Sequence, residues 1–381
     1  MTHHQVLIVG CGTAGLAVAK RLVIESPGLD VAIIEPAETQ EIQRLWTMVG
    51  SGVVRPEHAQ RDRAPTIPDG VIWIHDSVKT LNPGGNSVVT ASGENISYDY
   101  LVAAPGVQTN WNEVAGLRDS VGKNGVCSIY SHETATATWE VIRNFQQGVA
   151  LFTQPAGMLK CMTCSQQMCY LADEEFRRRG VRDQTRMIFI SGESQLFPIQ
   201  QYCGLLEKVM VEKGIEAHFR TELIEIRPET KEAVFRNVDS GEVSTLRFDM
   251  LHVPPPMGPL DIFANSLLAD QNGWIDVDRH TLQHVRFPNV FGIGDAANLP
   301  TIRSEAASEH QAPVLVSNLV ALMERRPLTA KYDGFTGRPI VTGYGQLLRA
   351  DFDYGKLPCA GSVVELRNLT QPPKPPEKPA D

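Results

Sequence analysis

The sequence predicts an α/β protein of two strand–turn–helix units, the second inserted into the first, followed by a short C-terminal segment. Three observations carry this expectation. A β-run near the N-terminus opens into a G-x-G-x-x-G turn, a late apolar strand closes on Gly294-Asp295 before a helix, and apolar strands alternate with amphipathic helices between them. With 381 residues the chain is also too long for one ordinary hydrophobic core. The boundaries expected are 1–146 plus 281–345 for the discontinuous first domain, 147–280 for the inserted domain and 346–381 for the C-terminal segment.

The first unit starts with "QVLIVGCGTAGLAVAKRL". Val6 to Val9 read as a strand, Gly10, Gly12 and Gly15 make the turn, "LAVAKRL" continues as a helix, and "DVAIIEP" returns as a strand ending on Glu35. Gly10 permits the tight turn, Gly12 lets backbone approach a pyrophosphate, and Gly15 lets helix and strand pack closely, with Thr13 and Ala14 between them. The helix N-terminus offers unpaired N–H groups to an anion. Glu35, about twenty residues past Gly15, is placed to accept from ribose hydroxyls. A glycine-rich turn that binds nothing is the bland alternative, and the complete strand–turn–helix–strand context argues against it.

Two further segments choose between dinucleotides. "YDYLVAAPGVQ" (98–108) is a strand ending in a small-residue turn, Ala104-Pro105-Gly106, and "NVFGIGDAANLP" (289–300) ends a strand on Gly294-Asp295 ahead of the helix "SEAASEHQAPVLVSNLVALM". The three motifs in this order resemble those of the two-dinucleotide-domain flavoproteins. That likeness implies two Rossmann-like domains and FAD, with the late Asp on the ribityl hydroxyls. The FAD-binding residues expected are Gly10, Gly12, Thr13, Ala14, Gly15, Glu35, Ala104, Pro105, Gly106, Gly294 and Asp295.

In the middle unit the candidate strands are "GVALFT", "RMIFIS" and "EAHFRTELIEI", and the candidate helices "QQMCYLADEEFRRR" and "QQYCGLLEKVMVEK". Relatives that use NAD(P)H carry another G-x-G-x-x-G after the second such strand. Here that strand leads into "SGESQLFPIQQY" with Gly192 alone, so a nicotinamide cofactor is not expected.

The same unit crowds three of the chain's seven cysteines, Cys161, Cys164 and Cys169, into "GMLKCMTCSQQMCYLADEEF". Cys161 and Cys164 fall at the start of a helix, and Lys160 adds a cation; both favour a thiolate. Cys169 reads as a small core residue. A zinc site from these three would lack the usual second pair or histidines, so no metal is expected. A net charge of −9 argues against nucleic acid. No window approaches the ~20 apolar residues of a membrane span. The N-terminus runs almost directly into a strand, which points to a cytoplasmic, reducing location where cysteines are catalytic rather than scaffolding.

At this point the sequence resembles the sulfide:quinone oxidoreductases, especially their mitochondrial-like branch. The matching stretches are "VLIVGCGTAGLAVA", "WTMVGSG" (46–52), "TATWEVIRNF", Lys160-Cys161, "LIEIRPETKEAVF", "MLHVPPPM", "GWIDVDRHTLQHVRFPNVFGIGDAANLPT" and "KYDGFTGRPIVTGY", spanning about residues 4 to 354. The resemblance implies that two cysteines flank the isoalloxazine, sulfide attacks the sulfur bridge between them, electrons pass to FAD and then to a quinone, and the sulfane sulfur leaves on a small acceptor thiol. Cys161 matches the first of these cysteines. The second family cysteine follows the late Gly-Asp, where this chain has Ala296; Arg338 in "TGRPIV" is a further departure, at a place open to cysteine in relatives. The family's amphipathic C-terminal helices give way to "NLTQPPKPPEKPAD", expected to be extended and disordered.

Cys164 is new relative to the family pattern and stands at C-x-x-C spacing from Cys161, which lets the two bridge locally. The catalytic residues expected are therefore Cys161 and Cys164, with Cys127 and Cys359 as reserve partners. The activity expected is FAD-dependent oxidation of sulfide, persulfide or thiol sulfur, with a quinone or oxygen as acceptor. The alternatives are the family reaction proper and, because of Ala296, a flavin-binding protein without turnover; an NADH:quinone reductase is disfavoured by the missing second glycine motif. A homodimer is compatible with this reading. Glu305, Glu309 and His310 on the late helix are either a solvated face or, through Glu309 or His310, a proton-handling group facing the flavin.

Overall fold

The computed structural model describes residues 2–359 and 366–368. Strand β1 (Thr2–Val9) enters helix α1 (Thr13–Glu25) and returns as strand β2 (Val31–Ile34). β1 is central, parallel to β2 on one side and to Asn95–Ala103 on the other; β2 is flanked by Val71–Ile74 and Asn95–Ala103 by Val290–Gly292, all parallel. Residues 31–34 and Val6–Val9 are buried throughout, as parallel strands covered on both faces must be. Two antiparallel strands, Ser87–Thr90 and Val78–Asn82, extend the sheet.

The second unit is a five-stranded parallel sheet in the order Val126–Cys127, Met250–His252, Gly148–Gln154, Thr185–Ser191, Glu216–His218. Helix α2 (Cys164–Arg178) follows Gly148–Gln154, and Gln200–Lys213 follows Thr185–Ser191. Gly148–Gln154, not Thr185–Ser191, therefore holds the position that β1 holds in the first unit. The segment comparable to the glycine turn is Pro155 to Thr163, which carries Gly157, Lys160 and Cys161.

The sheets draw the inserted unit wider at its start and shorter at its end than 147–280. Val126–Cys127 pairs with Met250–His252, and helix His132–Asn144 buries Ala135 and Ile142 in the same core. The chain crosses back where Met257–Gly258 pairs with Gln108–Thr109, and Phe263, Leu268, Ile275 and Val277 already belong to the first core. Short edge strands leave almost no sequence signal, which is why the longest apolar strand looked like the start.

The segment "EAHFRTELIEI" is not one strand. It breaks at Arg220, whose φ is 55°, so that Thr221–Arg227 leaves for a separate antiparallel sheet with Glu232–Asn237 and Val243–Arg247. The 345/346 boundary also falls inside one element. Thr336–Gly343 and Gln346–Phe352 form a hairpin, joined by Leu366–Asn368, and its Ile340, Leu348 and Phe352 sit in the core of the second unit. The proline-rich tail beyond Asn368 lies outside the described residues. Among the described residues no helix is long and apolar enough to cross a membrane. Helix α3 (Glu305–Met323), capped by the Ser304 hydroxyl, packs against α1 and brings the late motif to the glycine turn.

Candidate active site

Each glycine of the first turn meets a different constraint. Gly10 has φ +100°, and a Cβ there would run into the Ala104 carbonyl; a Cβ on Gly15 would run into the Gly10 carbonyl. Around Gly12 a Cβ would meet nothing within 4 Å. Gly12 is also the N-cap of α1, with no side chain capping the helix and no acidic residue in its first turn. Open space and unpaired N–H donors thus coincide, which suits a pyrophosphate.

Glu35 closes this turn from behind: one carboxylate oxygen accepts from the Cys11 amide at 3.0 Å and the other from the Ala37 amide at 3.1 Å. Arg63, which no motif announces, is buried beside it. It donates to the carbonyls of Ala37 at 2.6 Å, Thr39 at 2.7 Å and Cys11, and lies 3.9 Å from Glu35. Ala104, Pro105 and Gly106 form the turn immediately after Asn95–Ala103, with Gly106 at φ +76°.

The late motif packs against the first. Gly294 has φ +73°, its amide donates to Gln311 Oε1 at 2.8 Å, and a Cβ on it would press Ala14 at 2.9 Å. A pocket here is lined by Gly294, Asp295, Arg303, Ser304, Ser308 and Gln311. Arg303 is 6% exposed, lies 3.7 Å from the Trp274 ring centroid and donates through Nε to the Asp295 carbonyl at 2.5 Å. Its two terminal nitrogens are buried without a partner among the described residues. Burial lowers its pKa to about 10, opposed by Asp295. Arg338 donates to the Arg303 carbonyl at 2.9 Å, and its own buried Nε has no such partner. A buried cation, Arg303, and a half-buried one, Arg338, each with spare buried donors beside Gly294-Asp295, suit the electron-rich edge of a flavin ring, as the Gly12 opening suits its pyrophosphate, so these residues fit FAD.

Glu309 and His310 point elsewhere. Both are exposed, and the His310 ring lies 4.0 Å from that of Phe335. Glu305 lies 3.4 Å from Arg44. The face of α3 that lines the pocket is Ala307, Ser308 and Gln311.

In the second unit Cys161 and Cys164 are joined by a disulfide. Cys161 has φ +57° and its carbonyl accepts from the Cys164 amide at 2.9 Å, so the bridge spans one tight turn that ends on the first residue of α2. Tyr130 donates to the Cys161 carbonyl at 3.4 Å, and Thr47 donates to the Cys164 sulfur at 3.3 Å. Lys160 reaches across to Asp295 of the late motif, Nζ to Oδ2 3.5 Å, and its amide faces the Met257 sulfur at 3.3 Å. The bridge loop and the late motif therefore touch.

The other thiols stay apart from this bridge. Cys127 is free and fully buried at the end of its strand, where burial pushes its thiol up to about 12. Cys359 is free and half-buried, and Cys169 is a buried core residue. Ala296 is 4% exposed and packs in the first core. Thr47, Arg63, Trp274 and Arg303 lay beyond the sequence reading; for Arg303, the only available signal was its place eight residues past Asp295 at the mouth of the late helix.

Comparison with known proteins adds to this geometry. Residues 4–140 match the pyridine nucleotide-disulphide oxidoreductase family. The chain is 41% identical over 355 residues to the mitochondrial sulfide:quinone oxidoreductase of Dictyostelium discoideum, covering 92% of this chain and 78% of that protein. It is 39% identical over 357 residues to the mouse protein of the same name, covering 93% and 79%. The solved structure of the Aquifex aeolicus sulfide:quinone oxidoreductase superimposes with a TM-score of 0.82 over 96% of this chain and 87% of that one, at 19% identity, a likeness of fold.

Proposed function

Because the chain belongs to the sulfide:quinone oxidoreductase family, we propose that it oxidises sulfide through the Cys161–Cys164 bridge, with a quinone as the electron acceptor. It is an FAD-dependent oxidoreductase of the two-dinucleotide-domain fold. The observation that carries the reading is the Lys160–Asp295 contact, which ties the loop bearing the bridge to the motif that fits the flavin. Gly10, Gly12 and Gly15 would hold the pyrophosphate, Glu35 the ribose, and Asp295, Arg303 and the start of α3 the flavin end.

The chemistry then follows from the thiols. Hydrosulfide attacks the half-buried Cys161 sulfur; a new S–S bond forms there, the Cys161–Cys164 bond breaks, and its electron pair stays on Cys164 as a thiolate. An acceptor thiolate lifts the outer sulfur away and leaves Cys161 as a thiolate. Closure of the two thiolates back to the disulfide releases one electron pair. When bound, FAD would supply the two-electron sink for that pair, with the quinone as the final acceptor. Ala296 stands where the family's second cysteine would be, and Cys164, three residues after Cys161, takes that cysteine's part.

Anaerobic titration of the purified yellow protein with sulfide, watching flavin absorbance, tests this. The parent bleaches and Cys161→Ser does not. A Cys161→Ser protein that bleaches as fast as the parent overturns the reading. Recovery of the colour on adding a soluble quinone, and not on air alone, distinguishes quinone from oxygen as acceptor.

A further inference from the structure

We propose that Thr47 is a positioning residue for the redox bridge: its hydroxyl holds Cys164 as the thiolate each time the bridge opens. The inference rests on the reading that Cys161–Cys164 is the redox pair, and it deepens that reading. Thr47 lies on the short helix Trp46–Gly50 and is 3% exposed. Among the described residues its hydroxyl has one acceptor, the Cys164 sulfur at 3.3 Å.

The placement is rigid. A Cβ on Gly50 would meet Ile129 at 2.5 Å and Met168 at 3.3 Å, so the helix bearing Thr47 lies directly on α2. The Ser51 carbonyl that follows accepts from Tyr344 at 3.2 Å, fastening the same segment to the C-terminal hairpin.

A disulfide sulfur is a poor acceptor, whereas a thiolate is a strong one. One fixed donor therefore gains strength only when the bond opens and charge arrives on Cys164. Cys164 needs such help because it is 8% exposed, and burial alone disfavours a thiolate. Cys127 and Cys169, buried in the same core, show that penalty: burial raises both, Cys127 to about 12. Cys127 also has a threonine, Thr138, whose hydroxyl lowers its thiol, but that hydroxyl donates to the Ser128 and Thr134 carbonyls; Cys164 differs in having the Thr47 hydroxyl with no other acceptor among the described residues, and in its N-terminal position on α2. In the forward step the electron pair left on Cys164 meets a waiting O–H. In the closing step the same O–H keeps Cys164 as the thiolate that joins Cys161 when the electron pair leaves for the sink that bound FAD would supply.

The test uses FAD-loaded Cys161→Ser protein, in which Cys164 is no longer bridged and is told apart from the buried Cys169 by fragmentation of their shared peptide, alone and combined with Thr47→Val, Thr47→Ala or Thr47→Ser. The rate of iodoacetamide labelling of the Cys164 peptide is followed against pH by mass spectrometry. Val and Ala should slow labelling about tenfold near neutrality and move the rise in rate to higher pH, while Ser restores the parent profile. Unchanged profiles in Val and Ala overturn the role of Thr47. Bridging in the air-oxidised parent is read separately from its mass before reduction. A parent in which Cys161 and Cys164 both label freely overturns the bridge itself, and an intact bridge with unmoved Thr47 variants overturns only Thr47.

Discussion

Two turns of the molecule occupy the same place in the same topology and do opposite things. In the first unit β1 passes through residues 10–12 straight into α1, and the helix N-terminus faces open space. In the second, Gly148–Gln154 passes through residues 155–163 before α2, and the first helical residue is Cys164, already bonded to Cys161. The electrostatics of the two helix starts are alike, since both offer unpaired N–H groups to negative charge. What differs is the source of that charge. A turn stripped to glycine leaves room for a phosphate from outside, and a longer turn carrying cysteine would bring its own anion were the bridge reduced. The lesson is that the loop, not the sheet, decides whether a dinucleotide-type unit binds a cofactor or works on one.

The sharpest way to break the comparison is Gly12→Val. A Cβ there meets no protein atom within 4 Å, so the fold should survive, while the isopropyl group should take up the space expected for the pyrophosphate. FAD affinity should fall by more than about a hundredfold (~3 kcal/mol), read from flavin retained through gel filtration, with thermal unfolding of the apoprotein unchanged. Normal flavin retention in this variant would remove the first turn from the cofactor site.

Cys164→Ser is the matching change in the second turn. It should leave FAD bound and take one electron pair out of an anaerobic dithionite titration, because the bridge no longer counts as an oxidant. An unchanged end point would mean that the bridge does not exchange electrons in solution.

How much of this contrast was legible beforehand depends on how local each signal is. The first turn could be read because glycine spacing, strand and helix all fall within residues 6–35, and the bridge because Cys161 and Cys164 are neighbours in sequence. The Thr47–Cys164 contact joins residues 117 apart, and the Arg303–Trp274 stack joins two loops; nothing in either sequence neighbourhood marks its partner. Strand order was hidden for a related reason: Val126–Cys127 is too short to show periodicity, and only pairing with Met250–His252 assigns it to the second sheet. The proton-handling role considered for His310 failed on helix phase, since Gln311 rather than His310 faces the pocket.

A smaller effect is acid sensitivity, larger in the second unit than in the first. His252, at the end of its strand under the thiol turn, is fully buried; its Nε2 has no partner among the described residues, and its Nδ1 lies 3.3 Å from the Ser165 hydroxyl. Burial pulls its pKa from 6.5 down to about 3. The folded state therefore refuses a proton that the unfolded chain takes up. Stability is fully present above 6.5 and falls as the pH drops from there toward about 3, by up to ~1.4 kcal/mol per pH unit. His284, in the first unit, shifts in the same direction through burial and adds to the slope. Urea unfolding at saturating FAD should show this decline, and His252→Gln should flatten part of it. A parent whose stability does not change between about pH 6.5 and 5 would refute the buried neutral histidine.

The smallest expected effect belongs to the strap between the two turns. Lys160 and Asp295 lie 3.5 Å apart, with Lys160 36% and Asp295 12% exposed, so the pair is partly screened and worth ~1 kcal/mol or less. Lys160→Met keeps the length of the side chain and removes its charge. FAD binding should change little, because the glycine turn and Glu35 are untouched, but the bridge loses one of its ties to the late motif. Sulfide-driven flavin reduction should slow several-fold at low salt. Because the lost interaction is electrostatic, salt should slow the parent and leave the variant unmoved until the two rates converge near 1 M. Equal rates at low salt would mean that contacts inside the second unit, such as the Tyr130 hydroxyl on the Cys161 carbonyl, hold the bridge in place without the ion pair.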